Sequence, residues 1–582
     1  MAPKAKPHRD IGEARALIHL AMSVFWDEKT RDLPTHYPRP QLPSFEGLTE
    51  LSKISSEANT SARKLGSDLS KLSLIEAGYE IGKEYTHLLP SDYRSQHGIY
   101  YTPPAVTNRL IEQVEKHGVN WLSASAIDPA CGGGAFLSPV AIRMKKALFD
   151  AGYSSDKIIK HITSHLKGYE IDPFSGWLSQ TLFEMSLMHE IADTGIKIPK
   201  IVCIGDTLKL NKNETFDVVI GNPPYAKVKL DPELKTLYGR SVFGHANLYG
   251  LFTDKALKLL KPGAILAFVT PTSFLSGQYF KRLRHVLSSE TDVLSIDFIS
   301  ARKGVFHGVL QETVLACFKS LKSDKSKATS ATIHIDASQK YIVTENGECS
   351  IEPSMDKPWL IPRDSDQAVL LNDSEDNFAY LKDYGYTVST GPLVWNRHKQ
   401  QLREKKQKGA FPLIWADSIS SDGQFVLKPN KKSRPRWVMI DCSREKHLLC
   451  NVPCLLMKRT TATEQTNRLN VGIVEKNILQ RFGGVSVENH LNIIRPLDGI
   501  EPLVSLETLR YILMSRPVDK LFRAMNGSVA VSAYELNALR MPTLTFAKML
   551  DQALQSGANN TQLDELLDIA YSSTNLSDIH AA

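Results

Sequence analysis

The stretch ASAIDPACGGGAFL, residues 124–137, decides the fold. A short apolar run ends in Asp128, the glycines Gly132, Gly133 and Gly134 follow, and an amphipathic stretch resumes at Leu137. A strand that runs into a glycine loop and then a helix is how open α/β sheets bring their backbone close to a ligand at the carboxyl edge. A dinucleotide site needs G-x-G-x-x-G, yet counting from Gly132 puts Leu137 where the third glycine belongs. No Lys-Ser/Thr pair follows as in a phosphate-binding loop. The loop therefore reads as holding its ligand by something other than phosphates.

Working outward, β-branched runs alternate with amphipathic stretches from Gly98 to about 320, the pattern of a parallel sheet covered by helices. Strands are expected over residues 124–128, 166–171, 200–204, 216–221, 264–270, 293–299 and 313–318, which suits one doubly wound, seven-stranded Rossmann-like α/β domain. The second strand ends in Glu170, before Ile171 and Asp172, and offers an acceptor where ribose hydroxyls sit in such folds. The third is followed by Gly205 and Asp206, an acceptor suited to an exocyclic amine. An acid at a strand end often only caps a turn. Three in succession, Asp128, Glu170 and Asp206, suit a nucleoside ligand that carries positive charge.

After the fourth strand come Asn222, Pro223, Pro224 and Tyr225. Two prolines fix φ and remove two donors, so the turn presents carbonyls without competing N–H groups. The Asn222 side-chain oxygen and the Pro223 carbonyl are placed to accept both hydrogens of a planar exocyclic amine. That would draw the nitrogen toward tetrahedral geometry and free its lone pair to attack an electrophilic methyl group, with Tyr225 against the ring. Asn-Pro-Pro is also an ordinary turn former, but it follows the glycine loop, Glu170 and Asp206 in series.

These residues resemble the class I S-adenosylmethionine-dependent amino-methyltransferases, specifically the gamma-type DNA adenine-N6 methyltransferases of bacterial restriction-modification systems, over about residues 98–318. The resemblance implies that GIYYTPPAVTNRLI, residues 98–111, places Tyr101, Thr102 and Pro103 near the cofactor's methionine. DPACGGGAF then forms the cofactor loop, with Asp128, Ala130, Gly132 and Gly134 at binding positions. Glu170 and Ile171 would meet the cofactor's ribose and adenine, and Asp206 its adenine amine. NPPY is the family's catalytic motif: Asn222 and Pro223 hold the target amine, Pro224 stiffens the turn and Tyr225 stacks on the flipped base. Phe306 sits where the family places a second aromatic on that base, and an aromatic there also reads as core.

The rest of the 582 residues frames this core. Residues 1–97 read as an N-terminal helical region, with Ile11, Ala14, Leu17, Ile18 and Ala21 at helical spacing. Residues 98–320 are the catalytic domain, and the Ser- and Lys-rich stretch after 320 opens a connection expected over 321–385. Residues 386–582 read as a mixed α+β target-recognition domain ending in helices. Of the +7 net charge, residues 395–468 hold 16 Lys and Arg against 6 Asp and Glu, so one region carries the basic character. Trp395, Phe411, Trp415, Phe425 and Trp437 interleave with those charges, as on a phosphate-contacting surface. Residues 412–419 and 453–469 resemble target-recognition segments, which places Lys458, Arg459, Thr460, Thr461, Gln465 and Arg468 near double-stranded DNA.

Seven scattered cysteines make no disulfide framework. Cys442, His447, Cys450 and Cys454 lack the paired spacing of a zinc site and read as small buried thiols, so no metal is expected. No run reaches the ~20 apolar residues of a membrane span, so a cytoplasmic protein is expected. Residues 1–97 show no D…(D/E)xK nuclease cluster, which favours modification alone over a fused restriction-modification enzyme and leaves room for a separate cognate restriction endonuclease acting on the same site. An RNA or protein amide methyltransferase using the same NPPY chemistry is the other rival, and the long basic, aromatic C-terminal part argues against it. Monomer and dimer both stay open.

Overall fold

Short β-branched segments set between turn residues become the sheet that carries the site. The computed structural model describes residues 10–46, 48, 54–99, 101–210, 214–300, 312–323, 327–336, 338–372, 377–427, 434–462 and 464–571. The chain forms two compact units, one of Met1–Phe274, Tyr279–Glu345 and Ser350–Met355, the other of Leu275–Gln278, Asn346–Cys349 and Asp356–Ala582.

The main sheet, which but for Asn346–Cys349 lies in the first unit, is built from β1 (Ala126–Asp128), β2 (Leu166–Glu170), β3 (Val202–Ile204), β4 (Phe216–Gly221), β5 (Leu260–Pro271), β6 (Thr291–Ile299), β7 (Thr313–Ser320), β8 (Lys327–Ile335) and β9 (Tyr341–Ser350). They lie in the order β9-β8-β6-β7-β5-β4-β1-β2-β3. The pairs among β5, β4, β1, β2 and β3 are parallel, as is β8 with β6, whereas β7 runs antiparallel between β5 and β6. The chain reverses direction in the sheet between β1 and β4, so the carboxyl ends of β1, β2, β3 and β4 line one edge.

The seven stretches read as strands are β1 to β7, but the sheet is wider than the expected seven strands. β8 and β9 fall in the region read as a connection over 321–385, and that reading is corrected. The reason is chemical: β8 is KATSATIHI, whose buried positions are Ala328, Ser330, Ala331 and Ile333, so small and polar side chains fill a strand face and imitate a loop.

One face of the sheet packs under the helices Pro104–Lys116, Leu137–Asp150 and Ser155–His165. Their Leu110, Val114, Val140, Met144 and Ile162 join Val218, Ile220, Ile265 and Leu315 of the strands in one core. Each such side chain contributes about 1.5–3 kcal/mol on burial. The N-terminal helices Ile11–Arg31 and Leu74–Leu88 form a second core with the helix Pro173–Ser186, through Phe25, Trp26, Ile81, Tyr85, Phe174 and Leu178.

The second unit, among its described residues, holds two sheets. One orders Tyr386–Thr390, Leu491–Pro496, Cys454–Lys458 and Val471–Val474; the other orders Leu402–Arg403, Trp437–Met439, Ala410–Ile414, Val485–Val487 and Leu449–Cys450. Helices Leu506–Met514, Arg516–Met525, Leu544–Gln555 and Asn560–Ala570 close a core with the first of these. Cys450 and Cys454 are buried with their sulfurs 3.6 Å apart, whereas Cys442 is exposed, against its reading as a buried thiol. No helix among the described residues is long and apolar enough to cross a membrane.

Candidate active site

The carboxyl ends of β1, β4 and β2 converge on one small region. Asp128 closes β1, is 1% exposed and accepts the Ala130 N–H at 3.0 Å. Its Oδ1 lies 2.5 Å from where a side chain on Gly221 would begin, so only glycine lets β4 reach its turn here. Glu170, at the end of β2, accepts the N–H groups of Gly132 at 2.8 Å and Asp172 at 2.9 Å. One carboxylate thus pins the glycine loop to the neighbouring strand. Burial raises the Asp128 carboxyl to about 8 and that of Glu170 to about 7, well above the ordinary range near 4. The Ala130 hydrogen bond opposes the shift on Asp128, and the Asp172 and Gly132 hydrogen bonds oppose that on Glu170.

The Asn222 turn is wired to a segment far away in sequence. Asn222 Nδ2 donates to Thr102 Oγ1 at 3.1 Å, which joins the two motifs across 120 residues. The Tyr225 hydroxyl donates to Asn222 Oδ1 at 2.6 Å and lies 3.2 Å from the Val269 carbonyl. The phenol therefore occupies an acceptor that the sequence assigns to an amine. Gly98, in the left-handed region at φ 64°, packs against Pro224 so closely that a Cβ there would come within 2.4 Å of Pro224 Cβ. The Tyr101 ring fills the space beside Gly133, and Pro103 caps the helix Pro104–Lys116 with extended backbone.

Asp206, half-exposed, caps the 3-10 turn Thr207–Lys209 by accepting the Leu208 N–H at 3.0 Å. Thr207 Oγ1 ties that turn to the Pro129 carbonyl at 2.7 Å. Ile171 and Ile204 stand 53% and 51% exposed on the same edge, an apolar surface left open beside three acids. Behind the glycine loop lies a cavity of about 20 Å³ lined in part by Tyr101, Thr102, Gly133, Gly134, Thr107 and Ser138. Among the described residues the buried hydroxyls of Thr107 and Ser138 there find no hydrogen-bond partner.

Phe306 lies outside the described residues. Two residues that the motifs did not flag belong to the site's frame. Tyr249 sets its ring edge-on to Tyr225 at 6.0 Å and stacks on Phe280 at 4.9 Å. Asp172 caps the helix Pro173–Ser186 and accepts Arg15 Nη2 at 2.6 Å and the Tyr93 hydroxyl at 3.0 Å. Asp-Pro at 172–173 was a readable helix start, but nothing local names Arg15 as its partner.

Of the residues placed near DNA by sequence, Gln465 and Thr460 are exposed and Lys458 is half-buried. Arg459 Nη1 donates to the Asn489 carbonyl at 2.6 Å. Arg468 corrects its reading: it is 1% exposed and donates to Thr461 Oγ1 at 3.1 Å and to the Ser528 carbonyl at 2.5 Å. A guanidinium enclosed by carbonyls holds a fold together and has no open path to a base edge.

Residues 155–306 match the Eco57I restriction-modification methylase family. The resemblance to restriction-modification methyltransferases is borne out. The Type II methyltransferase M.BsuBI of Bacillus subtilis is 27% identical over 353 residues, which cover 58% of this chain and 67% of that one. M.PstI of Providencia stuartii, another Type II methyltransferase, is 27% identical over 368 residues, 62% of this chain and 71% of its own. Among solved structures, the Type IIL restriction-modification enzyme MmeI, determined in complex with DNA, superposes over 98% of this chain and 90% of its own with a TM-score of 0.55 and 14% identity. A nuclease-deletion mutant of the Type ISP enzyme LlaGI covers 93% of this chain and 62% of its own at a TM-score of 0.50 and 13% identity. At these identities the structures share a fold with this chain.

Proposed function

We propose that this chain transfers a methyl group from S-adenosylmethionine to N6 of an adenine in double-stranded DNA, at a specific sequence and with the adenine flipped out of the duplex. The observation that carries the reading is the chain of hydrogen bonds from Tyr225 through Asn222 to Thr102, set at the end of β4 beside the buried Asp128. It fixes the Asn222 amide, whose oxygen would take the planar amine once the Tyr225 hydroxyl leaves it.

The residues present fit the cofactor. Two buried carboxyls with raised pKa values favour a ligand that brings positive charge, and the buried hydroxyls of Thr107 and Ser138 lack partners among the described residues. Tyr101, Thr102, Pro103, Asp128, Ala130, Gly132 and Gly134 would hold its methionine part, and Glu170, Ile171 and Asp206 its nucleoside. When bound, it supplies an electrophilic methyl group on a sulfonium.

The chain's own residues do the rest by positioning and hydrogen bonding. Asn222 Oδ1 and the Pro223 carbonyl accept the two hydrogens of the adenine amine and turn its lone pair outward. Pro224, seated on Gly98, keeps that carbonyl fixed. Extruding the base costs a few kcal/mol, and stacking on Tyr225 offsets part of this. No side chain need form a covalent bond. The basic, aromatic second unit suits sequence reading, and the methylated site would be protected from a separate cognate endonuclease.

The test is transfer of labelled methyl from S-adenosylmethionine to unmethylated duplex DNA by the full chain, with Asn222→Ala beside it, followed by nucleoside analysis and mapping of the modified sites. Label in N6-methyladenine that Asn222→Ala reduces at least about 1,000-fold is expected, since the substitution removes an acceptor used in the transition state. Label found only in RNA or protein would overturn the DNA reading.

A further inference from the structure

The second unit contains a cavity of about 540 Å³, within the roughly 300–1,000 Å³ of pockets that take small molecules. Its walls include Trp395, Trp415, Arg434, Thr460, Glu488 and His490. The two indoles stand 6.5 Å apart, centre to centre, and tilted by 55°. The Arg434 guanidinium lies 5.1 Å over the Trp415 ring, and Lys399 Nζ lies 5.5 Å over that of Trp395. Opposite them, Glu488 is 1% exposed and accepts the His490 backbone N–H at 2.9 Å, with His490 Nδ1 2.6 Å from its other oxygen.

These walls are fixed by backbone. Leu393 and Glu488 form a parallel bridge; the Asn489 N–H donates to the Leu393 carbonyl at 2.9 Å and the Leu393 N–H to the Val487 carbonyl at 3.1 Å. From the other side the Arg459 N–H donates to the His490 carbonyl at 3.0 Å, and its guanidinium holds Asn489. Arg459 thus braces the cavity, while Thr460, the next residue, lines it. Trp415 is buried beneath Arg434, whereas Trp395 is only half-buried and is the indole left to meet a ring.

Each feature asks for the same kind of occupant. Indole faces take up flat rings, and cations beside them meet phosphates; this pairing is how proteins bind unstacked nucleic acid. Glu488 spends both oxygens on His490, whose side chain is 60% exposed and presents a ring edge to the cavity. The surrounding stretch carries ten excess positive charges, the complement of a polyanion. The methylated adenine is not that ring, because its amine belongs to Asn222 in the first unit.

We infer that this cavity receives a second unstacked base of the bound DNA and so contributes to the choice of sequence. The inference rests on the DNA reading above. It is tested with the full chain and duplexes that contain its mapped site, 2-aminopurine replacing one base at a time. The emission of this analogue rises when it leaves the stack. Emission should rise on binding at two positions, the target adenine and one other. Trp395→Ala and, independently, Arg434→Ala should reduce the rise at the second position at least about fivefold, in line with the loss of one stacking contact, and leave that at the target. A rise at the target alone, or a second rise that survives both substitutions, overturns the inference while methylation stands. Failure to bind any duplex would overturn the DNA reading, and the inference with it.

Discussion

Replacing Tyr225 by phenylalanine isolates one hydrogen bond in the site. In the structure the phenol donates to Asn222 Oδ1 at 2.6 Å, the atom proposed to receive the target amine. A flipped base must displace that hydroxyl before Asn222 can hold it. A neutral hydrogen bond is worth about 1 kcal/mol net, so removing the competitor should tighten engagement of the flipped base by about fivefold. The ring stays, and with it the stacking of about 1–3 kcal/mol that Tyr225→Ala would lose. Steady-state methylation of duplex DNA separates these effects. Tyr225→Phe should lower KM for DNA about fivefold with kcat within about threefold of wild type, while Tyr225→Ala should raise KM roughly tenfold. Should Tyr225→Phe instead lose about 100-fold in kcat at unchanged KM, the hydroxyl would belong to the chemistry and the account of a displaced resting bond would be wrong.

Cofactor affinity, measured by calorimetry of the full chain, should climb between about pH 6 and 9 and level off above, because burial pushes the Asp128 and Glu170 carboxyls up to about 8 and about 7 and their charged forms attract a cation. Glu170→Gln should flatten the lower part of that rise. The sign for folding is opposite: both carboxyls are raised, so their contribution to stability is greatest below the ordinary carboxylate range and is lost as pH rises to about 8, a trend visible in melting curves of the free protein. Arg468→Met should cost about 3 kcal/mol and lower the melting temperature by several degrees, because its buried donors leave carbonyls unsatisfied. Mapping its methylation sites should return an unchanged sequence, and an altered one would restore Arg468 to base reading. Asp172→Ala should destabilise the first unit by about 3 kcal/mol through the loss of a cap and the partner of Arg15, with melting as the readout.

What was legible in the sequence was what depends on near neighbours. β1 to β7 are apolar runs that end at turn residues, and the NPPY turn and the glycine loop are each written in consecutive positions. β8 was hidden because alanine, serine and threonine fill its buried face. Arg468 was misread because charge suggests surface, whereas its environment is built by residues up to 60 positions away. The same distance hid the tie of Asn222 to Thr102, the packing of Tyr249 on Tyr225, and the pocket around Glu488. Spacing along the chain carries no trace of such contacts. Only the burial of the acids at strand ends, which follows from their place at the sheet edge, linked the local pattern to the chemistry.

The Asp172 carboxylate gathers Arg15, Tyr93 and the Ser175 N–H and hydroxyl around one buried charge, and Tyr85 lies within 3.4 Å. Its partners come from three helices that precede the cofactor loop in sequence and one that follows it. A recombination event that joined a foreign N-terminal segment to this sheet would strand that charge without a counterion. Residues 10–97 and the helix Pro173–Ser186 are thus coupled through one charge, and chimaeras between relatives should fold only where they leave this block whole.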